Sequence, residues 1–323
     1  MAADAPSLTD LGRRAKAASR RLATASTAVK DDALRAAADL LVDRTGEILA
    51  ANAVDVDTAE KAGTSPTVVD RLRLTTARVE GMAGGLRQVA GLADPVGEIT
   101  EGWTRPNGLR ISKVRVPLGV VAIIYENRPN VTSDAAGLCI KSGNAAFLRG
   151  SSGAIESNKA IAGVLREAFA KAGLPDDAVI LVEDTSRAAA VEFMKLREYV
   201  DCLIPRGGPS LIQSILDNAT VPYVIDGDGN CHIYVDAAAD LDMARAIVVN
   251  AKTQRPSVCN AAESLLVHDA VAATFLPAVA AALEGVELVG DDAARALVPA
   301  MGEATDDDSA REFLDLKTSV AGV

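Results

Sequence analysis

Apolar residues recur at steps of three and four through the opening segment: Leu8, Leu11, Ala15, Ala18, Leu22 and Ala25. That spacing lays them along one face of a helix. Ser7 and Asp10 have capping-box spacing just ahead of it. The pattern predicts a second helix from about Asp31 toward Lys61, stopped by Gly63, and a cap followed by a first-turn proline at Ser65-Pro66. "ARVEGMAGGLRQVAGL" (77–92) predicts one more helix, weakened by its glycines. The texture changes at "EGWTRPNGLRISKVRV" (101–116), where Asn107-Gly108 between strand-like runs signals a hairpin. Leu109, Ile111, Lys113 and Arg115 share one face of its second strand; Arg110, Ser112, Val114 and Val116 share the other. Neither face is cleanly apolar, which predicts an arm that pairs with another subunit.

From Val120 onward, continuous apolar strands alternate with helices. The strands are "VVAIIY" (120–125), "AAFLR" (145–149), "AVILVE" (178–183), "VDCLIP" (200–205) and "VPYVID" (221–226). A helix capped at Thr132 or Ser133 runs to near Gly143, and a longer one is closed by Gly173 and Pro175. This alternation predicts an α/β fold with a parallel sheet covered on both faces. Ligands in such folds sit beyond the carboxyl ends of the strands. A second α/β unit starts near "CHIYVD" (231–236), with the helix "LDMARAIVVNA" (241–251) and the strands "ESLLVH" (263–268) and "VELVG" (286–290). "EFLDLKTSVAGV" (312–323) reads as a strand broken off. The expected organisation is a nucleotide-binding domain over 1–100 and 117–230, a β-hairpin arm over 101–116, and a second, C-terminally incomplete domain over 231–323.

Composition narrows the function. With 49% hydrophobic residues over 323 positions, long disorder is excluded. Aromatics at 3% and a net charge of −11 leave neither stacking platforms nor a basic face for nucleic acid. "MAADAPSLTD" has neither a basic start nor an apolar run, and the apolar stretches are strand-length, too short to span a membrane. Cys139, Cys202, Cys231 and Cys259 are irregularly spaced and form no CxxC, against a disulfide framework or a metal site. A cytoplasmic protein with reduced thiols and a small-molecule substrate is expected.

No GxGxxG follows a strand, and "GMAGG" (81–85) lies in a helical stretch, so the usual dinucleotide fingerprint is absent. Two other places could hold phosphate or ribose. One is "LRGSS": Arg149, Gly150, Ser151 and Ser152 stand where an acidic residue would grip a ribose 2′-hydroxyl, and they suit a 2′-phosphate instead. The same residues also fit a solvated loop. The other is "PRGGPS", where Gly207, Gly208 and Ser210 open a helix whose first amides can hold an anion; many αβ turns look the same. After the first sheet strand, Asn127 offers an amide donor and Arg128 a cation, or plain turn chemistry. Cys259 sits in a polar loop with Lys252 and Arg255 near in sequence, a setting in which reactive thiols are found. Spacing alone leaves it open between nucleophile and filler. Cys139 and Cys202 fall on apolar elements and read as core. Cys231 and His232 are adjacent on a strand and face opposite ways, against a dyad.

Four blocks together carry a resemblance: "VPLGVVAIIYENRPNVTSDAAGLCIKSGNAAFLRGSS" (116–152), "IPRGGPSLIQ" (204–213), "GNCHIYVD" (229–236) and "NAKTQRPSVCNAAESLLVH" (250–268). In this order they closely resemble the gamma-glutamyl phosphate reductases of the aldehyde dehydrogenase superfamily. The resemblance implies an NADPH-dependent reduction of L-glutamyl 5-phosphate to the 5-semialdehyde and phosphate, a step of proline biosynthesis. It implies Cys259 as the nucleophile that carries a thioester, with the Cys259 amide and Asn127 holding the oxyanion. Arg255 and Arg128 would meet the substrate's phosphate and carboxylate. Arg149, Gly150, Ser151, Ser152, Gly207, Gly208 and Ser210 would meet NADPH/NADP. "IDGDGN" (225–230) lacks the glutamate base of hydrolytic relatives, and Asp226 and Asp228 take no role. Family members run longer and are homo-oligomers, so this chain is expected to show apolar sheet surface and an unpaired strand edge at its C-terminal end. Two further readings are another acylating aldehyde dehydrogenase, and an inactive chain that only binds nucleotide or a partner subunit.

Overall fold

The computed structural model describes residues 6–225 and 229–323. The first apolar stripe folds as Leu8–Leu22 (α1), and Leu8, Leu11, Ala15, Ala18 and Leu22 are buried on it. The Ser7 hydroxyl accepts the Asp10 amide, as the spacing requires. The predicted second helix is two: Thr27–Asp43 (α2) and Thr45–Lys61 (α3). They part at Arg44, where φ is −95° and ψ 15°. Thr45 Oγ1 donates to the carbonyls of Leu41 and Val42, and this back-bonding, followed by Gly46, weakens the ladder there. Pro66–Leu72 (α4) has proline in its first turn, although Ser65 makes no side-chain cap. Thr76–Gly91 (α5) contains the "GMAGG" glycines.

Ile99–Thr104 (β1) and Arg110–Val114 (β2) form a separate antiparallel hairpin, with Trp103 opposite Ile111 and Gly108 at φ +84° in the turn. Ile99, Trp103, Leu109 and Val114 are all exposed on it.

The chain divides into two units, 1–225 and 226–323. In the first, Val120–Tyr125 (β3), Asn130–Lys141 (α6), Ala145–Arg149 (β4), Ile155–Lys171 (α7), Val179–Leu181 (β5), Arg187–Phe193 (α8), Cys202–Arg206 (β6) and Pro209–Asn218 (α9) alternate as expected. The sheet order is β5-β4-β3-β6, and every pairing is parallel. All residues of β3 and β4 are buried, the consequence of helices on both faces. The α6 start differs from expectation. Pro129 is its N-cap, while Thr132 and Ser133 lie buried inside the helix. Thr132 Oγ1 is instead bonded to the Tyr125 hydroxyl at 2.8 Å and to Asn158 Oδ1 at 3.0 Å. The predicted strand 221–226 is reduced to one bridge, Leu203 to Tyr223. Pro222 brings no N–H to a ladder, Val224 is exposed, and residue 226 lies outside the described residues.

The second unit contains Cys231–Val235 (β7), Leu241–Thr253 (α10), Ala262–Val267 (β8), Asp269–Ala282 (α11), Glu287–Gly290 (β9), Asp292–Leu297 (α12), Gly302–Glu303 (β10) and Lys317–Gly322 (β11). Its sheet is parallel, in the order β10-β9-β11-β8-β7. The expected unpaired edge therefore does not fall on the last strand. β11 lies between β8 and β9, with Thr318, Ser319 and Val320 buried. The edges are β7 and the two-residue β10. Among the described residues no helix is long and apolar enough to cross a membrane.

Candidate functional site

In the first unit the chain steps outward from β3 to β4 to β5, then returns to the far side of β3 as β6. A reversal of this kind opens a crevice beyond the strand tips, because the loops after β3 and β6 leave in opposite directions. Glu126, Asn127 and Arg128 follow β3; Gly150, Ser151 and Ser152 follow Arg149 at the end of β4; Gly207, Gly208 and Ser210 follow β6.

Asn127 is half-buried and Arg128 exposed. The Ser151 hydroxyl donates to Asn127 Oδ1 at 2.6 Å, which leaves Nδ2 as the donor end of the amide. Two residues assigned separate roles from the sequence thus form one contact. Gly150 must be glycine for packing, since a Cβ there would collide with the Asn158 amide. Arg149 is not the solvent-facing cation expected of a loop. It is buried, its Nη2 donates to the carbonyls of Thr185 at 2.7 Å and Ser186 at 3.0 Å, and its Nε is buried without a partner. Burial lowers its pKa, against the opposing charge of Asp184. Ser152 is exposed.

Amides at two helix starts, including the α9 start expected to hold an anion, are already engaged by carboxylates. The Gly208 amide donates to the Glu126 carboxylate at 3.1 Å. The first amides of α7, those of Glu156 and Ser157, donate to Asp55 at 3.3 and 2.8 Å. The Ser210 amide has no acceptor among the described residues, and the backbone around Gly208 is open. Glu126 and Asp55 had no distinguishing signal in the sequence.

In the second unit Cys259 is exposed, on the loop from α10 to β8. The Val258 amide reaches the Arg255 carbonyl at 3.4 Å and the Ala261 amide the Val258 carbonyl at 3.0 Å. The Cys259 amide has no acceptor among the described residues and remains a donor beside its own thiol. Arg255 is exposed and lends this turn only its carbonyl. Lys252 is not a cation for the thiol. It is buried and pairs with Glu263 at 2.8 Å.

Three neighbours of the loop were missed. The Cys231 thiol donates to the Cys259 carbonyl at 3.3 Å. A Cβ on Gly229 would stand 2.7 Å from that carbonyl, 3.5 Å from Cys259 Cβ and 3.0 Å from Glu312 Oε1. A bare glycine therefore lets Glu312 lie beside the cysteine loop. Only tertiary packing reveals this, because Glu312 is 53 positions away in the chain. Asp226 and Asp228 lie outside the described residues.

The other cysteines differ from Cys259 in kind. Cys139 and Cys202 are buried; burial pushes Cys139 up to about 12 and also raises Cys202, with a smaller push from Asp201. Iodoacetamide at pH 8 is expected to modify Cys259 at least about tenfold faster than Cys139 or Cys202, because the thiolate is the reactive form and needs access. Peptide mapping over time reads this. Comparable labelling of Cys139 would contradict the packing described.

A parallel sheet with a switch-point crevice in one unit, and an exposed cysteine on a helix-to-strand loop of a second α/β unit, define a class. The chain belongs to the aldehyde dehydrogenase family, whose sequence model matches residues 1–317. It is 51% identical over 315 residues to the gamma-glutamyl phosphate reductase of Syntrophomonas wolfei, covering 97% of this chain and 75% of that protein. It is 54% identical over 307 residues to the gamma-glutamyl phosphate reductase of Moorella thermoacetica, covering 94% and 73%. The crystal structure of gamma-glutamyl phosphate reductase from Thermotoga maritima is 45% identical, superposes with a TM-score of 0.91, and is matched over 98% of this chain and 77% of that one. The family and fold expected from the four sequence blocks are borne out.

The fold of this family implies a nicotinamide cofactor. The first unit fits one: the unpaired, buried Arg149 Nε seeks an acceptor, and the unengaged Ser210 amide in the first turn of α9 suits a phosphate.

Proposed function

We propose that this chain reduces L-glutamyl 5-phosphate to L-glutamate 5-semialdehyde and phosphate with NADPH, in proline biosynthesis. The observation that carries the reading is the exposed Cys259 thiol beside its own unengaged amide, in a chain 45% identical to a gamma-glutamyl phosphate reductase of the same fold.

The Cys259 thiolate attacks the substrate's γ-carbonyl. A C–S bond forms, the C–O bond to phosphate breaks, and phosphate leaves with that electron pair. The Cys259 amide is a donor for the oxyanion that develops, and in the first unit Ser151 holds the Asn127 amide with Nδ2 as its donating end. Exposed Arg255 and Arg128 answer the phosphate and the carboxylate. Bound NADPH supplies a hydride to the thioester carbon. The Cys259 sulfur then leaves as thiolate, the carbonyl re-forms, and the nucleophile is restored. Ser152, Arg149 Nε, Gly207 and the free Ser210 amide hold the cofactor, and the serine and arginine at 149–152 favour a 2′-phosphate over a free hydroxyl. No water-activating base is needed, since hydrolysis of the thioester would waste it.

The apolar residues displayed by the hairpin support a homo-oligomer joined through that arm. Truncating 99–116 is expected to lower the mass measured by light scattering, and an unchanged mass would refute the arm's role.

The reaction is tested in reverse, with semialdehyde, phosphate and NADP. Phosphate-dependent NADPH formation supports the proposal. Formation that needs coenzyme A instead of phosphate would assign the chain to another acylating aldehyde dehydrogenase. NADP binding without turnover would leave only a nucleotide-binding chain.

A further inference from the structure

The base of the cysteine loop is closed by a buried ion pair. Lys252, in the last turn of α10, and Glu263, the second residue of β8, meet at 2.8 Å, and each side chain is only 1% exposed. The loop carrying Cys259 lies between these two anchors. Glu263 has a second engagement. Its Oε1 accepts the amide of Leu314 at 3.1 Å, while Oε2 takes Lys252. Leu314 is the one non-glycine residue with positive φ among the described residues, at 54°. A branched residue holds that conformation only where its surroundings impose it. Leu314 is two positions from Glu312, whose carboxylate lies beside Cys259 across Gly229.

One carboxylate thus ties three segments: the end of α10, the start of β8 and the turn at 312–316. We infer that Glu263, neutralised by Lys252, is a positioning residue that holds the Cys259 loop and the Glu312 turn in one fixed geometry. Burying two charges to make this tie is otherwise a poor use of an interior, because an apolar pair of the same volume packs at least as well. The inference rests on Cys259 being the nucleophile. Glu263 acts through the backbone of Leu314 and the frame of the loop, not on substrate.

Two double variants separate positioning from stability. Lys252→Met/Glu263→Leu removes both charges and leaves the Leu314 amide without an acceptor. Lys252→Met/Glu263→Gln removes both charges but keeps a carbonyl oxygen for that amide. Both are expected to fold, judged by circular dichroism and thermal midpoint. The alkylation rate of Cys259 with iodoacetamide, followed by peptide mapping, is expected to change at least threefold in the leucine variant and to return to within twofold of the parent in the glutamine variant. In the reverse assay kcat should follow the same order, falling about tenfold and recovering, with KM for NADP moved less than twofold. Parental labelling and turnover in a folded leucine variant would overturn the inference. So would equal losses in both variants, which would mean that only the ion pair's contribution to folding matters. Labelling reads the loop whether or not the chain turns over, so loss of the functional proposal, seen as full activity in Cys259→Ser, is a separate outcome.

Discussion

Cys259→Ser is expected to lower reductase turnover by at least about a thousandfold while leaving the fold intact. The thiol is exposed on a loop, so the stability change should stay within about 0.5 kcal/mol. The chemical change is much larger. A serine hydroxyl is a weak nucleophile unless a neighbouring base removes its proton. The chain has two histidines. His268 Nδ1 accepts the Ala270 amide at 3.1 Å at the start of α11, which uses the nitrogen that would serve as base. Steady-state kinetics beside a thermal melt read both effects. A serine variant with more than about a tenth of parental kcat would remove Cys259 from the mechanism, and with it the thioester.

The largest stability effect is expected from Lys252→Met alone. It leaves Glu263 in a site where each partner is 1% exposed, with no cation to offset its charge. Breaking one side of a buried pair costs about 3–5 kcal/mol, whereas replacing both sides with apolar groups is often neutral. The single variant should therefore be far less stable than Lys252→Met/Glu263→Leu, although it changes fewer residues. Because the chain has two units, a single denaturation midpoint can mix two transitions. Hydrogen exchange in α10 and β8 isolates the effect. Equal protection in the single and double variants would show that the pair is not the buried, mutually dependent contact described.

Much of the architecture was legible in residue order. Continuous apolar runs such as "VVAIIY" can be satisfied only where both faces are covered, so they announce a parallel sheet before any coordinates. The spacing Leu8, Leu11, Ala15, Ala18, Leu22 is likewise satisfied on a single helix face. Local signals failed where a distant partner intervened. Thr132 and Ser133 have the chemistry of caps, yet Thr132 is drawn inward by Tyr125 and Asn158. The last strand reads as an end in the sequence, and only the sheet order puts it between β8 and β9.

The site divides in the same way. Cys259, Asn127 and the glycines after β6 could be named because each lies at a strand-to-helix or helix-to-strand junction, and junctions are written in local sequence. The partners that set their chemistry could not. Lys252 is close to Cys259 in sequence and belongs instead to Glu263; Arg149 turns from the loop toward Thr185 and Ser186; Glu126 holds the Gly208 amide. Sequence alone thus determined the fold and the family, since these depend on periodicity and on short contiguous motifs, and it singled out Cys259 as the nucleophile to propose through the family resemblance. Tertiary structure decided which charges are spent on one another and which amides stay free. Those outcomes depend on contacts between segments far apart in the chain, and on a burial that makes an unpaired charge too costly to leave.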